Sequence, residues 1–289
     1  MGNALKKREI KAAFVKKNQE LFQCPICRSS LEVAEFQRFV CSNGHSFDFA
    51  KQGYVNLLTK PPKTKYDKTL FQARKIIIND SPLYKDLHQV IAEKLNQMVY
   101  GKFTIADLGC GEGSHLQKIG ERFDENVTAV GLDISKEGIL LAAKSYEKPI
   151  WLVGDLAQLP FQDRSIHVIL NILSPSNYQE FTRVLSADGA ILKVVPGGNY
   201  LQELRKIFFA EEKKDSTQNT RALFQKHFEL IEVINIHRTY SISEEHVESL
   251  LHMTPLLWSV DSEQLEKAGK QLKEITVDLD ILVGRHNTL

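Results

Sequence analysis

The residues with the clearest chemical potential are three cysteines and a histidine near the start of the chain. Cys24 and Cys27 flank Pro25 and Ile26, thirteen residues follow, and Cys41 leads through three more to His45, giving C-x2-C-x13-C-x3-H. Two close pairs of thiolate and imidazole donors, each on a tight turn, are what a tetrahedral zinc ion requires. Pro25 and Gly44 supply the turn chemistry. Leu31, Val33, Phe36, Phe39 and Val40 between the pairs suit a short hairpin, so a zinc-ribbon-like unit is expected. So small a unit buries too little apolar surface to fold unaided, and metal binding would supply much of its folding free energy. A disulfide is the competing reading, which three cysteines and a histidine in a cytosolic chain fit poorly.

A second constellation is a glycine-rich turn. Asp107-Leu108-Gly109-Cys110-Gly111-Glu112-Gly113 closes the apolar run FTIADLG, and a helical pattern starts at Ser114. Glycines in such a place allow a tight turn and close backbone approach to a ligand, and Asp133, 20 residues beyond Gly113, stands where an acid takes ribose hydroxyls. A dinucleotide fingerprint would carry glycine where this chain has Ser114, and no G-x4-G-K-[ST] phosphate loop occurs. Cys110 has no basic neighbour to activate it and reads as structural, while His115 and His167 lack ligand spacing and read as packing or surface residues.

These residues need elements to hold them. From Lys102 the chain alternates short apolar runs with amphipathic stretches: FTIADLG, VTAVGLD, IWLVGD, IHVILNI, AILKVV, FELIEVINI and EITVDLDILV. The pattern predicts a Rossmann-like α/β fold with a seven-stranded doubly wound sheet, whose ligands bind beyond the carboxyl ends of the strands. The expected organisation is a zinc-binding module over residues 1–58, a mobile basic linker over 59–69 that holds Pro61-Pro62, and an α/β domain over 70–289. Helices are expected near 69–79 and 82–99, the second with Ser81 as N-cap and Pro82 as its first residue. In the segment after His45, Phe47 and Phe49 are expected to pack, and Tyr54 is either packed or open to base stacking.

Charge is uneven. Residues 1–75 hold 15 Lys and Arg against 6 Asp and Glu, a balance of +9, and the remainder holds 22 against 30, a balance of −8. A basic first quarter suits a nucleic-acid-facing module, although a solvated lysine-rich face gives the same count. With no apolar stretch near the roughly 20 residues of a membrane span, and an N-terminus too charged for a secretory signal, a cytoplasmic protein is expected.

The D-x-G-x-G-x-G loop resembles motif one of class I S-adenosylmethionine methyltransferases, in which it surrounds the methionine part of the cofactor. Gly154-Asp155-Leu156 and Leu159-Pro160-Phe161 extend the likeness, an acid at Asp155 meeting the adenine amino group in that family. The whole chain, from Cys24 through FDFAKQGYVNLL, DLGCGEG, GLDIS and Leu250-Leu251-His252-Met253-Thr254-Pro255 to Trp258, resembles the RlmA-type 23S ribosomal RNA (guanine-N1)-methyltransferases, which include relatives conferring macrolide resistance. The resemblance implies zinc on Cys24, Cys27, Cys41 and His45, and recognition of a 23S rRNA hairpin by the zinc module. It also implies S-adenosylmethionine held by Tyr84, Asp107, Gly109, Gly111, Glu112, Gly113, Ser114, Asp133, Asp155, Leu156 and Tyr200. Asn171 and Ser174 stand where N-P-P-Y-like sequences of amino-methylating enzymes begin, depart from that sequence, and are expected to line the acceptor pocket. No general base is named by the sequence, and the oligomeric state is left open, with a homodimer as one candidate. Two alternatives stand: a small-molecule methyltransferase with merely structural zinc, and a non-catalytic RNA-binding factor.

Overall fold

The computed structural model describes residues 6–62, 66–123, 126–208, 217–257 and 260–287. Lys63, Thr64 and Lys65 of the expected linker, and Trp258 at the end of the resemblance, lie outside them.

The chain opens with helix α1 (Lys7–Lys16), followed by β1 (Leu31–Ala34), β2 (Arg38–Cys41) and β3 (Ser46–Asp48) in a three-stranded antiparallel sheet, and by the short β4 (Val55–Asn56). Helices α2 (Lys68–Asp80) and α3 (Lys85–Met98) lead into the α/β unit. There β5 (Phe103–Leu108), α4 (Ser114–Gly120), β6 (Val127–Asp133), α5 (Lys136–Ser145), β7 (Ile150–Val153), β8 (Ile166–Ile172), α6 (Tyr178–Val184) and β9 (Leu185–Pro196) alternate. After α7 (Gln202–Phe208) and α8 (Thr217–Gln225) the chain forms β10 (Phe228–Ser241), α9 (Glu244–Met253), α10 (Ser262–Gln271) and β11 (Glu274–His286).

The large sheet runs β10-β11-β9-β8-β5-β6-β7-β4, with β11 antiparallel between β9 and β10. Strand order reverses between β5 and β8, so a crevice opens at the carboxyl ends of those two strands. Every residue of β5 is buried, as a strand covered on both faces requires. The seven expected strands are all present, and an eighth corrects the count. Val55 and Asn56, counted with the zinc module, pair in parallel with Leu152 and Val153 of β7, and the Leu57 amide donates to the Val153 carbonyl at 2.8 Å. Two residues gave no periodicity from which a strand could be read.

The two faces of the sheet are covered by different parts of the chain. Ile77, Leu87, Ile91, Leu116 and Ile139 of α2 to α5 pack with Ile105 and Val168 on one face. On the other, Ala12 and Val15 of α1 and Phe22, Leu31, Phe39 and Phe49 of the zinc module join Phe181 of α6 and Phe224 of α8 against Ala106, Leu108 and Leu132. The zinc module therefore serves as one of the sheet's covering layers. Phe22 is central to it: fully buried, it lies 5.4 Å from Phe39 and 5.8 Å from Phe161, ring centre to ring centre. Around it the Gln23 amide donates to the Pro160 carbonyl at 3.0 Å and the Gln162 amide to the Leu21 carbonyl at 2.9 Å. Arg183 braces the same loop, donating to the Phe161 carbonyl at 2.7 Å and the Leu159 carbonyl at 3.0 Å while paired with Glu180 and Asp163.

Ser81 corrects one expectation. It ends α2 instead of starting α3: its hydroxyl donates to the Ile77 carbonyl at 2.6 Å, and the N-cap of α3 is Tyr84. Pro82 lies in the intervening turn, with the Lys85 amide donating to its carbonyl at 3.1 Å.

Because Phe161 is fully buried against the zinc module, Phe161→Ala should cost about 3–5 kcal/mol in urea unfolding and leave a single transition. A loss below about 1 kcal/mol, or two separate transitions, would show that the module is not part of the sheet's core.

Candidate active site and metal centre

The sulfur and nitrogen donors of Cys24, Cys27, Cys41 and His45 all lie within 4.8 Å of one another. Cys27 and Cys41 sulfurs are 3.7 Å apart, and His45 Nδ1 is 3.4 Å from Cys41 Sγ and 3.6 Å from Cys24 Sγ. Thiolates at 2.3 Å from a tetrahedral ion stand roughly 3.8 Å apart, whereas a disulfide needs about 2.0 Å. The three cysteines are free of disulfides, and the spacing fits zinc. Each pair sits on its own turn: the Arg28 amide donates to the Cys24 carbonyl and the Gly44 amide to the Cys41 carbonyl, with Arg28 and Gly44 at φ of 62° and 81°. His45 presents Nδ1 to the cluster.

The crevice at the strand reversal deepens into a cavity of about 1030 Å³. Its floor is the turn after β5, where Gly109, Gly111 and Gly113 take φ of 88°, 60° and 79°. A Cβ on Gly109 would stand 1.8 Å from Ser174 Oγ, so that position needs both the backbone freedom and the missing side chain. Asp133, at the end of β6, pins the turn by accepting from the Gly111 amide at 2.8 Å through one oxygen and from Ser135 at 2.8 Å through the other.

Of the residues expected to hold the cofactor, Tyr84, Gly109, Gly111, Asp133, Asp155, Leu156 and Tyr200 line this cavity. Tyr84 and Tyr200 come from distant segments, and their hydroxyls meet at 2.6 Å. The other four lie behind the wall. Gly113 is pressed against Trp151, whose ring a Cβ would meet at 2.2 Å. Ser114 is buried and hydrogen-bonded to Tyr146 Oη at 2.8 Å and Asn79 Nδ2 at 3.0 Å. Glu112, fully buried, pairs with Arg74 Nε at 2.8 Å. Asp107 is 1% exposed with both carboxylate oxygens lacking a donor among the described residues, and burial pushes its carboxyl up to about 8. An orphaned acid directly beneath a glycine turn calls for a cationic partner, and the ammonium of S-adenosylmethionine is a group of that kind. On this ground the residues present fit that cofactor.

The acceptor side is built from β8 and β9. Ser174 lines the cavity as expected, but Asn171 does not: it is fully buried behind the wall. Its Nδ2 donates to the Leu108 and Pro175 carbonyls at 2.5 and 3.0 Å, and its Oδ1 accepts from Ser176 Oγ at 2.8 Å and Lys193 Nζ at 2.6 Å. Met253, Thr254 and Pro255, from the segment that helped carry the family resemblance, close the far wall.

Sequence reading missed Arg74 and Lys193, both of which line the cavity. Each carries a signal in hindsight. Arg74 follows Phe71 by three positions on the apolar side of α2, and Lys193 interrupts the aliphatic strand AILKVV. Cys110 is buried, with burial holding its thiol well above the ordinary value, in accord with a structural role. His115 also packs as expected, though in a specific pair: its Nδ1 meets His88 Nε2 at 2.8 Å, and burial holds both imidazoles low, His88 near 4. Phe47, Phe49 and Tyr54 are all buried, which removes Tyr54 from base stacking.

Comparison with known proteins agrees with this geometry. The family described as "RlmA, N-terminal" matches residues 22–66, and the family described as "Methyltransferase domain" matches residues 105–192. A Bacillus subtilis protein provisionally named a 23S rRNA (guanine-N1)-methyltransferase, YxjB, is 40% identical over 274 residues, which span 91% of this chain and 96% of its own. The chain belongs to the 23S rRNA (guanine-N1)-methyltransferase family. A second relative, the 23S rRNA (guanine(748)-N(1))-methyltransferase of Streptomyces fradiae, is 29% identical over 91% of this chain and 96% of its own. By contrast, a malonyl-[acyl-carrier protein] O-methyltransferase of Coxiella burnetii is 30% identical over 51% of this chain and 55% of its own. That likeness covers only part of the chain, while the likeness to the rRNA family runs through both modules. No helix among the described residues is long and apolar enough to cross a membrane.

Two outcomes follow. Gly109→Ala, which drives a methyl group into Ser174, should weaken S-adenosylmethionine binding at least tenfold by calorimetry; unchanged affinity would remove the turn from the cofactor site. Stripping zinc with a chelator should release one ion per chain and lower the unfolding midpoint by about 10 °C or more, because the module covers a face of the main sheet. An unaltered midpoint would contradict a structural metal.

Proposed function

We propose that this protein transfers a methyl group from S-adenosylmethionine to N1 of a guanine in 23S ribosomal RNA, taking the base from a hairpin loop. One observation carries the reading: the cavity that starts at the glycine turn opens beside the chain leaving the zinc module, with Tyr66, Leu70 and Phe71 in its wall. The donor pocket thereby opens at the segment that leads out of the zinc module, an arrangement that a small-molecule enzyme has no need of.

The bound cofactor supplies an electrophilic methyl group on a sulfonium centre. For holding it, Asp107 suits the ammonium and Arg74 the carboxylate of its methionine part. Asp133 suits the ribose, and Asp155 with Leu156 the adenine. Glu112, Gly113 and Ser114 act from behind: Glu112 orients the Arg74 guanidinium, while Gly113 and Ser114 seat the turn on Trp151 and Tyr146. Tyr84 and Tyr200 clasp the pocket from opposite segments. Ser174, packed against Gly109, stands between donor and acceptor sides. Asn171 positions the 174–176 loop without touching the substrate.

Displacement at a methyl carbon demands chiefly that donor and acceptor be held in line at near-attack distance. A paired guanine hides its N1, so an unpaired or flipped base is required. Phe36 suits the capture of such an RNA. It sits half-exposed at the β1–β2 turn with Lys16 Nζ 5.2 Å from its ring centre, the pairing of aromatic and cation that single-stranded bases stack upon.

Primer extension on 23S rRNA from cells lacking the protein tests the proposal. Loss of a Watson–Crick-edge stop at one guanosine, restored by the intact gene, is the expected result; an unchanged stop pattern would exclude it.

A further inference from the structure

Guanine N1 carries a proton that must leave before or as the methyl arrives. Lys193 stands at the place where that proton could go. It lines the cavity from β9 yet is only 5% exposed. Among the described residues no carboxylate forms an ion pair with its Nζ.

Its partners are two oxygens, Asn171 Oδ1 at 2.6 Å and the Ser174 carbonyl. Neither can turn away. The Asn171 amide is fixed in orientation, because its Nδ2 is committed to the Leu108 and Pro175 carbonyls and its Oδ1 also accepts from Ser176. A neutral amine has two N–H bonds to donate and one lone pair, and these two acceptors absorb both donors. The lone pair remains for a third partner.

No carboxylate that lines the cavity lies beside it, and Asp107 of β5 is buried behind the wall, two strands away. In the sheet Lys193 is flanked by Asn171 and Leu282, neither of them charged. The cavity's carboxylates, Asp133 at the end of β6 and Asp155 just after β7, lie on the other side of β5 and at least three strand spacings away, roughly 14 Å. Its other cations are Arg74 on α2 and Arg205 on α7, neither able to accept a proton. Tyr84 and Tyr200 face the donor end and bond each other. Through Asn171, the amine is tied to Leu108, the residue that precedes the glycine turn. It therefore sits beside the donor's place, on the acceptor side.

We infer that Lys193 is a catalytic residue, its neutral Nζ accepting the guanine N1 proton. The inference rests on the guanine-N1 reading above. The N1–H electron pair becomes the nucleophile, and the proton joins the Nζ lone pair to give an ammonium. The methyl carbon exchanges its bond to sulfur for one to N1, with the S–C pair staying on sulfur. The ammonium then returns its proton to water. Burial without a counter-ion, which brings Lys193 down to about 8, keeps a useful fraction of the amine neutral near neutral pH.

The test uses the metal-loaded protein and a 23S hairpin transcript that the wild type methylates. Labelled-lysine NMR, with the Lys193 signal assigned by its loss in Lys193→Arg, should show a midpoint near 8; one at the ordinary lysine value would overturn the inference. Wild-type single-turnover rates should rise with pH and level off at that midpoint. Lys193→Arg keeps two donors but cannot accept a proton, and should be slower by about 10²–10⁴-fold with the levelling abolished. Lys193→Ala should regain activity with added small primary amines. S-adenosylmethionine affinity measured by calorimetry should stay within about threefold in both variants, which separates lost chemistry from lost folding. An Arg variant with an unchanged pH profile would refute the role of Lys193 while leaving the methyltransferase reading intact. Absence of wild-type methylation would count against that reading itself.

Discussion

The turn after β5 is the constraint on which everything else in the site depends. Three left-handed positions within five residues favour glycine at each, and at Gly109 and Gly113 a side chain would also collide with Ser174 and Trp151. Its geometry is held from outside by the Asp133 carboxylate and the Asn171 amide, which grip it from strands on either side of β5. Because both grips come from the strands on either side of β5, the cavity inherits its shape from the sheet. Cofactor contacts, the acceptor wall and the lysine of β9 are then all placed by a single rigid element.

Around that turn the chain gathers buried charge that an isolated protein would avoid. Asp107, Glu112 and Asp133 lie within one small region, with Arg74 as the cation that offsets them. Burial of an acid whose oxygens find no donor is costly, and Asp107 responds by holding its proton to about pH 8. The sign is clear: its raised value makes the unliganded fold less stable as pH rises through that point. The cationic ligand proposed for the pocket would relieve this and tie the pocket's stability to its occupant.

Much of this was legible in the residues. The metal ligands followed from spacing alone, because a tetrahedral ion accepts few donor patterns, and the glycine turn with Asp133 followed from backbone and ribose chemistry. Less legible was everything that depends on two distant segments meeting. Val55 and Asn56 look like loop until β7 offers an edge, and Phe22 looks like one module's core residue until Phe161 packs beside it. Asn171 reads as a pocket residue because it stands where the N-P-P-Y-like sequences of amino-methylating enzymes begin; four hydrogen bonds turn it into a support. Ser81 was read as a helix start because serine and proline commonly begin helices, but its hydroxyl bonds backward to Ile77. Tertiary partners decided the first three, whereas a bond within the end of its own helix decided Ser81.

The zinc module also joins the two halves of the account. It is a covering layer of the sheet, so the surface proposed to face RNA packs directly against the fold that carries the methyl-donor pocket. The most direct test incubates the metal-loaded protein with unmodified 23S rRNA and trideuteromethyl-labelled S-adenosylmethionine, followed by nucleoside mass spectrometry. The account predicts a single labelled nucleoside, 1-methylguanosine, in at most one copy per rRNA. Label on the exocyclic amine, on ribose, or on no nucleoside would contradict it.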